Sequence, residues 1–276
     1  MNIDHYYSQP LEKVWSSPTY VKYEKAPWEW WYFPFADELC ANKFILSPPK
    51  NDLKQKKILE VGSAMGRAYE FLKRSGKIDL TNYTGIEVSE MGHERSRLNF
   101  PEAGWIQADF TRYELTDMYD YVFERHAIHH MPNPLVQYKK LLQHTKAAMQ
   151  TLFRGRLVGE TVSDLDHGRF VSKDGMYYLN LINVYDLVRM GLSEGFNHVH
   201  VLYCGEHEPI GSDPKGDVFL SREVQESGGP IMRFAVRIAR CTESHPPRLT
   251  ASARYLKHKL LPFVFNLKAR LSQLVS

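Results

Sequence analysis

The sequence predicts an α/β fold in which a mostly parallel sheet alternates with helices. Three observations predict it. Ile58, Leu59 and Val61 form a short apolar run of the kind found in a strand buried on both faces. Gly62 and Gly66 punctuate the turn that follows, and Ala68, Tyr69, Phe71 and Leu72 resume at helical spacing. Further strand-like runs recur down the chain, and the last, Ile231 to Arg240, alternates as an antiparallel strand does.

Length and composition set the bounds. A chain of 276 residues with 43% hydrophobic content holds one large α/β domain with embellishments. No apolar run is long enough to span a membrane, and Met1 to Tyr7 has neither a basic start nor an apolar signal core. Cys40, Cys204 and Cys241 are widely separated and form no metal-type pair or disulfide framework, so a reducing cytoplasmic setting fits best. The net charge of +3 hides an asymmetry. No acid follows Glu243, whereas Arg248, Arg254, Lys257, Lys259, Lys268 and Arg270 do, so the body is mildly acidic and the tail basic. That argues against a surface that wraps nucleic acid.

Three regions follow. Residues 1–50 form an aromatic-rich embellishment carrying Trp15, Trp28, Trp30, Trp31, Tyr32, Phe33 and Phe35. It is read either as core filler or as a lid whose rings cover a ligand. Residues 51–243 form the main domain, with insertions at about 163–180 and 205–230. Residues 244–276 form a linker and a basic amphipathic helix.

Within the domain, strand one ends with Glu60, whose carboxylate is placed to meet a ligand's ammonium or hydroxyl. Small residues at Gly62, Ser63 and Ala64 let backbone approach a ligand, with a helix N-terminus behind them. Strand two, Tyr83 to Val88, ends on Glu87, able to accept both hydroxyls of a ribose. Strand three and its exit loop run from Gly104 to Phe110. Strand four is Asp120 to His126. Pro134 opens a helix through about Gln150, and Gly155 to Val162 reads as strand five, with Glu160 at its exit. Val184, Leu187, Val188 and Leu192 mark a helix stopping at Gly195-Phe196, and His198 to Tyr203 is strand six. Beyond Ser244-His245-Pro246-Pro247, Leu256, Leu260, Phe263, Val264, Leu267, Leu271 and Leu274 recur at helical spacing, with Pro262 as a kink.

Glu60-x-Gly62-x-Ala64-x-Gly66 resembles the acidic-x-G-x-G-x-G signature of class I S-adenosylmethionine-dependent methyltransferases, Ala64 standing for the middle glycine. The dinucleotide pattern G-x-G-x-x-G, counted from Gly62, meets Ala64 and Arg67 at its later glycines, which disfavours an NAD-dependent oxidoreductase. The resemblance extends over about residues 55–240. It includes His126-Ala127-Ile128-His129-His130-Met131-Pro132-Asn133-Pro134, similar to the segment after strand four in the small-molecule branch of that family. It implies a Rossmann-like seven-stranded sheet, mostly parallel with an antiparallel last strand and helices on both faces. It implies S-adenosylmethionine as cofactor, held by Glu60, Gly62, Ser63, Ala64, Gly66, Glu87, Val88, Asp109, Phe110 and Arg125. Glu87 would take the ribose, and Asp109 and Phe110 the adenine.

The activity expected from this is O-methylation of a small molecule or glycan. An alcohol acceptor loses a proton as it attacks, and histidine is the natural base near neutral pH. His126 and His129 are the candidates, with Glu160 orienting the base or binding an acceptor hydroxyl. His130 falls on a histidine common across the branch and reads as structural or cofactor-side. Asp164, Asp166 and His167 provide metal-type side chains, but carboxylates two apart are common in solvated turns, and no metal is assigned. Methylation of nucleic acid or protein is the alternative. It is weakened by the acidic body and by Glu124-Arg125-His126-Ala127 where amino-methylating nucleic-acid enzymes carry Asn/Asp-Pro-Pro-Tyr/Phe. A non-catalytic module of the same fold is a further alternative. The basic tail suits peripheral contact with an anionic membrane, or packing on the domain or another subunit.

Overall fold

A computed structural model describes residues 55–74, 82–157, 159–164, 166–172, 175–206, 218–220, 222–227, 232–240 and 248–253. The aromatic N-terminal region and the expected C-terminal helix lie outside the described residues. The chain divides into two compact units. The first comprises residues 1–125 with 144–146 and 173–175, and the second 126–143, 147–172 and 176–276.

The first unit carries four parallel strands in the order β4-β1-β2-β3. They are β1 (Ile58–Val61), β2 (Tyr83–Glu87), β3 (Gly104–Gln107) and β4 (Tyr119–Arg125), with α1 (Arg67–Arg74) and α2 (Glu90–Asn99) between them. All four residues of β1 are buried, Ile58, Leu59 and Val61 as the apolar residues of a central strand and Glu60 with them. The register puts Ile58 beside Tyr83 and Tyr121, and Glu60 beside Gly85 and Phe123. Because side chains alternate, this face of the sheet is aromatic. Tyr69 of α1 packs edge-on against Tyr83 at 5.0 Å and against Trp105 at 5.7 Å, and meets Phe100 at 5.2 Å. Gly85 makes room for this layer, since a Cβ there would lie 2.5 Å from the Trp105 ring. Ser89 caps α2, its Oγ accepting from the amide of Gly92 at 3.1 Å.

The second unit contains α3 (Pro134–Gln143), all but the first two residues of the long strand β5 (Thr145–Arg156), β6 (Gly168–Ser172), all but the first residue of β7 (Gly175–Tyr178), β8 (Ile182–Asn183), α4 (Val184–Ser193) and β9 (His198–Glu206). After them come β10 (Val218–Leu220), α5 (Arg222–Ser227), β11 (Met232–Ala239) and β12 (Arg248–Ala253). β11 lies between β5 and β9 and is antiparallel to both, which is the expected antiparallel last strand of the domain. Phe153, Phe234, Val236, Ile238, Val199 and Val201 are buried in it. α4 ends where Gly195 turns left-handed (φ +83°), with Phe196 N–H donating to Gly191 O and Gly195 N–H to Leu192 O. The fold class is α/β and Rossmann-like.

Three expectations are corrected. The helix from Pro134 ends at Gln143 rather than near Gln150, and strand five runs over 145–156, not 155–162. Lys146-Ala147-Ala148-Met149-Gln150 favours helix locally, but pairing of Ala148 to Gly155 with Ala239 to Met232 overrides that preference. Residues 159–161 form no strand, and Val162 makes only an isolated bridge to Leu181. Third, the linker at 244–247 leads to a further strand, β12, parallel to β9. The inserted segments also carry structure: β6, β7 and β10 form a small separate sheet.

Candidate active site

In the first unit, the turn after β1 is built on left-handed backbone. Gly62, Ala64 and Gly66 have φ of +72°, +49° and +76°. The amides of Gly62 and Ser63 donate to Ile86 O at 2.9 and 3.2 Å, tying the turn to the neighbouring strand. Glu87, at the end of β2, closes it. Its Oε2 accepts from Ala64 N–H at 2.7 Å, and its Oε1 from Ser89 N–H at 2.9 Å. Gly92 lets α2 come close, because a Cβ there would lie 3.0 Å from Glu87 Cγ and 3.2 Å from Ala64 O.

Glu60 does not face open space. It is 0% exposed, and its Oε2 accepts from the Tyr83 hydroxyl beneath the aromatic layer. Its Oε1 has no hydrogen-bond partner among the described residues. Burial pushes its carboxyl up to about 8, a rise opposed by the Arg125 charge and by the Tyr83 hydrogen bond and reinforced by Glu87. Asp109 forms a tight turn. Its Oδ1 accepts from Thr111 N–H at 2.9 Å and Thr111 Oγ1 at 2.7 Å, and Arg112 lies 3.7 Å from Oδ2. Phe110 is buried, and Val88 and Arg125 are half-buried just beyond and at the ends of β2 and β4.

In the second unit, the histidines form a ladder of rings. His126 leaves β4 in a left-handed conformation (φ +58°), with its amide donating to Leu152 O at 2.8 Å. Its ring meets His129 edge-on at 5.1 Å, and His129 lies 4.0 Å from His130. A 3₁₀ turn, Ile128–His130, carries the latter two. His129 is 1% exposed, so it is packed between its neighbours rather than projecting outward. His126 stays half-buried. His130 Nδ1 lies 2.8 Å from Tyr178 O. A carbonyl only accepts, so the proton sits on Nδ1. Desolvation lowers His130 to about 3; the Tyr178 hydrogen bond opposes this, and the Arg154 charge adds to it.

Glu160 is exposed and lies four residues past the end of β5. Arg156 Nε and Nη2 both donate to its backbone carbonyl, so the loop is held by its main chain. Asp164 Oδ1 pairs with His167 Nδ1 at 2.6 Å, and Glu223 lies 3.6 Å from His167 Nε2. Among the described residues no group of three or more His, Cys, Asp or Glu is arranged to hold a metal ion.

The methyltransferase domain family matches residues 32–199, more than half of the chain. The chain belongs to that family. Its cofactor is S-adenosylmethionine. No curated protein matches this methyltransferase in sequence. Solved structures of similar fold include the N-terminal domain of EvdMO1 with SAH bound, at 15% identity and a TM-score of 0.52, covering 75% of this chain and 81% of that one. Another is magnesium protoporphyrin IX methyltransferase (ChlM) from Synechocystis PCC 6803 with bound SAH, at 11% identity and a TM-score of 0.50, covering 84% and 98%.

The residues of the first unit fit an adenosine-bearing cofactor. An ionised carboxylate has two lone-pair sites on each oxygen, so the amides that Glu87 accepts are compatible with a ribose hydroxyl at each oxygen as well. Ser63 Oγ, inside the turn, is buried with no hydrogen-bond partner among the described residues. The first unit thus brings together Gly62, Ser63, Ala64, Gly66 and Glu87 of the methyltransferase, with Glu60 one layer beneath. The second unit brings together His126 and His129 with His130, and leaves Glu160 on its own loop. Sequence reasoning missed Tyr178 and Asn180, which hold the histidine turn from the segment read as an insertion. Their only signal was Tyr-Leu-Asn just before a well-marked helix.

Proposed function

We propose that this methyltransferase methylates a hydroxyl on a small molecule or glycan, with His126 as general base. S-adenosylmethionine supplies a methyl group already activated on a sulfonium, so the chain's own task is to hold the acceptor in line and remove its proton. The observation that carries the reading is the contrast within the ladder. His129 is buried, and desolvation lowers His130 to about 3 against the opposing hydrogen bond to Tyr178 O. His126 alone combines partial exposure with a left-handed backbone anchored on Leu152 O. Backbone held in a sparsely populated region by surrounding structure is a mark of a functional position. In this role His126 would accept the hydroxyl proton as the oxygen–methyl bond forms and the methyl–sulfur bond of the sulfonium breaks.

The test is tritium transfer from labelled S-adenosylmethionine to a panel of sugars, phenols and amines. Label on oxygen, with His126→Ala lowering turnover about 100-fold or more, is the expected result. Label on amines only, or full turnover in His126→Ala, overturns it.

The reading includes a cytoplasmic enzyme with peripheral contact to an anionic membrane through residues 256–274. Apolar residues at helical spacing, with Lys257, Lys259, Lys268 and Arg270 among them, support it. Among the described residues no helix is long and apolar enough to cross a membrane. Co-sedimentation with anionic liposomes should be lost in a chain ending at Ala253, a cut that spares β12. Equal sedimentation of the two chains removes the membrane role.

A further inference from the structure

The histidine turn is gripped by one residue that the methyltransferase motifs do not include. Asn180 N–H donates to His129 O at 2.8 Å, and its Nδ2 donates to Met131 O at 2.5 Å. Two residues earlier, Tyr178 O accepts from the His130 ring. The short segment 178–180 therefore holds the turn by its two flanking carbonyls and by a ring nitrogen. Because Met131 O only accepts, the amide has one orientation, with Nδ2 toward Met131 and Oδ1 away from it. Oδ1 is buried, and has no hydrogen-bond donor among the described residues. Buried polar atoms without partners are rare, and an aliphatic side chain would avoid one. Asn180 is 1% exposed, so its amide is not there to meet solvent.

We infer that Asn180 is a positioning residue of the methyl-transfer reaction, acting through His129 and His130 by fixing the turn that carries them beside His126. The inference rests on the acceptor-side reading of the histidine ladder. Its physical content is that two donors from one residue set the path of the backbone from 129 to 131. That path in turn sets where the His130 ring meets Tyr178 O, and how His129 supports the His126 ring edge.

The experiment uses the full chain labelled with nitrogen-15 at histidine, with His130→Gln to assign the His130 ring. In the unsubstituted protein the His130 resonances report the Nδ1–H tautomer and no titration between pH 5 and 8, the window set by a value of about 3. In Asn180→Ala the expected result is loss of that single tautomer and titration within the window. S-adenosylhomocysteine affinity by calorimetry should stay within about twofold, since that ligand is held in the first unit. With a hydroxyl acceptor from the panel above, kcat should fall about 100-fold, the scale of a misplaced catalytic group, at unchanged KM for S-adenosylmethionine. Asn180→Asp is the second variant, nearly isosteric but with an oxygen facing Met131 O, and should show the same ring change. An unchanged His130 tautomer in both variants overturns the inference. So does parallel loss of S-adenosylhomocysteine affinity, which would mark a folding role. If His126→Ala keeps full turnover while the ring change is seen, the base assignment falls and the positioning of the turn stands.

Discussion

Glu87 Oε2 receives the amide of Ala64 at 2.7 Å, across 23 residues of sequence, while the same carboxylate's other oxygen receives the amide of Ser89. One side chain thereby ties the glycine turn to the start of α2. Glu87→Ala removes both ties together with the carboxylate proposed to accept the ribose hydroxyls. Binding of S-adenosylhomocysteine should weaken by about 1–3 kcal/mol, read by calorimetry. Unchanged affinity would remove Glu87 from the cofactor site.

Ala64 occupies a left-handed position (φ +49°) where the family signature has glycine. A side chain there costs about 1–2 kcal/mol relative to glycine, partly offset by the freedom glycine adds to the unfolded chain. Ala64→Gly should therefore leave the thermal midpoint equal or higher, with cofactor affinity retained. Ala64→Val should lower both, because a β-branched residue resists this conformation. A lower midpoint in Ala64→Gly would show that the methyl group's packing outweighs its strain.

His130 should make the protein less stable toward acid. Its folded value of about 3 lies below the ordinary 6.5, so between the two the unfolded chain binds a proton that the folded chain refuses. Stability from this group is complete above about 6.5 and is lost as pH falls toward 3. His130→Gln keeps a donor for Tyr178 O but does not titrate. Urea midpoints at pH 7, 6, 5 and 4.5 should fall less steeply in the variant than in the unsubstituted protein. Parallel slopes would place His130 in contact with solvent.

Glu60 works in the opposite sense. Its carboxyl is raised from 4.5 to about 8, chiefly by burial, so the folded chain holds a proton that the unfolded chain has released. The contribution is complete below 4.5 and is lost as pH rises through 8. Glu60→Gln preserves a neutral acceptor for the Tyr83 hydroxyl. Between pH 6 and 9 its urea midpoint should decline less than that of the unsubstituted protein. An equal decline would mean that Arg125 keeps Glu60 ionised throughout.

The sequence by itself determined the strand–turn–helix at 58–74, the acid ending β2, the ladder of three histidines and the antiparallel β11. Each of these is written in local pattern: an apolar run, glycines at a turn, a period of two. The family followed from the same residues. Tertiary structure decided what no local pattern encodes. Residues 145–156 became a strand because β11 offered a partner, against the helical preference of Ala147 and Ala148. Glu60, read in the sequence as a ligand contact, is buried in β1, where the hydroxyl of Tyr83 donates to it from the neighbouring strand, Tyr83 itself standing beside Ile58 in register. The sequence set His130 apart from His126 and His129 by its family position alone, and burial and the carbonyls of Leu152 and Tyr178 made the physical difference among the three. Asn180 could not be found from spacing, since its partners lie 49 and 51 residues upstream and are backbone atoms, which every residue possesses.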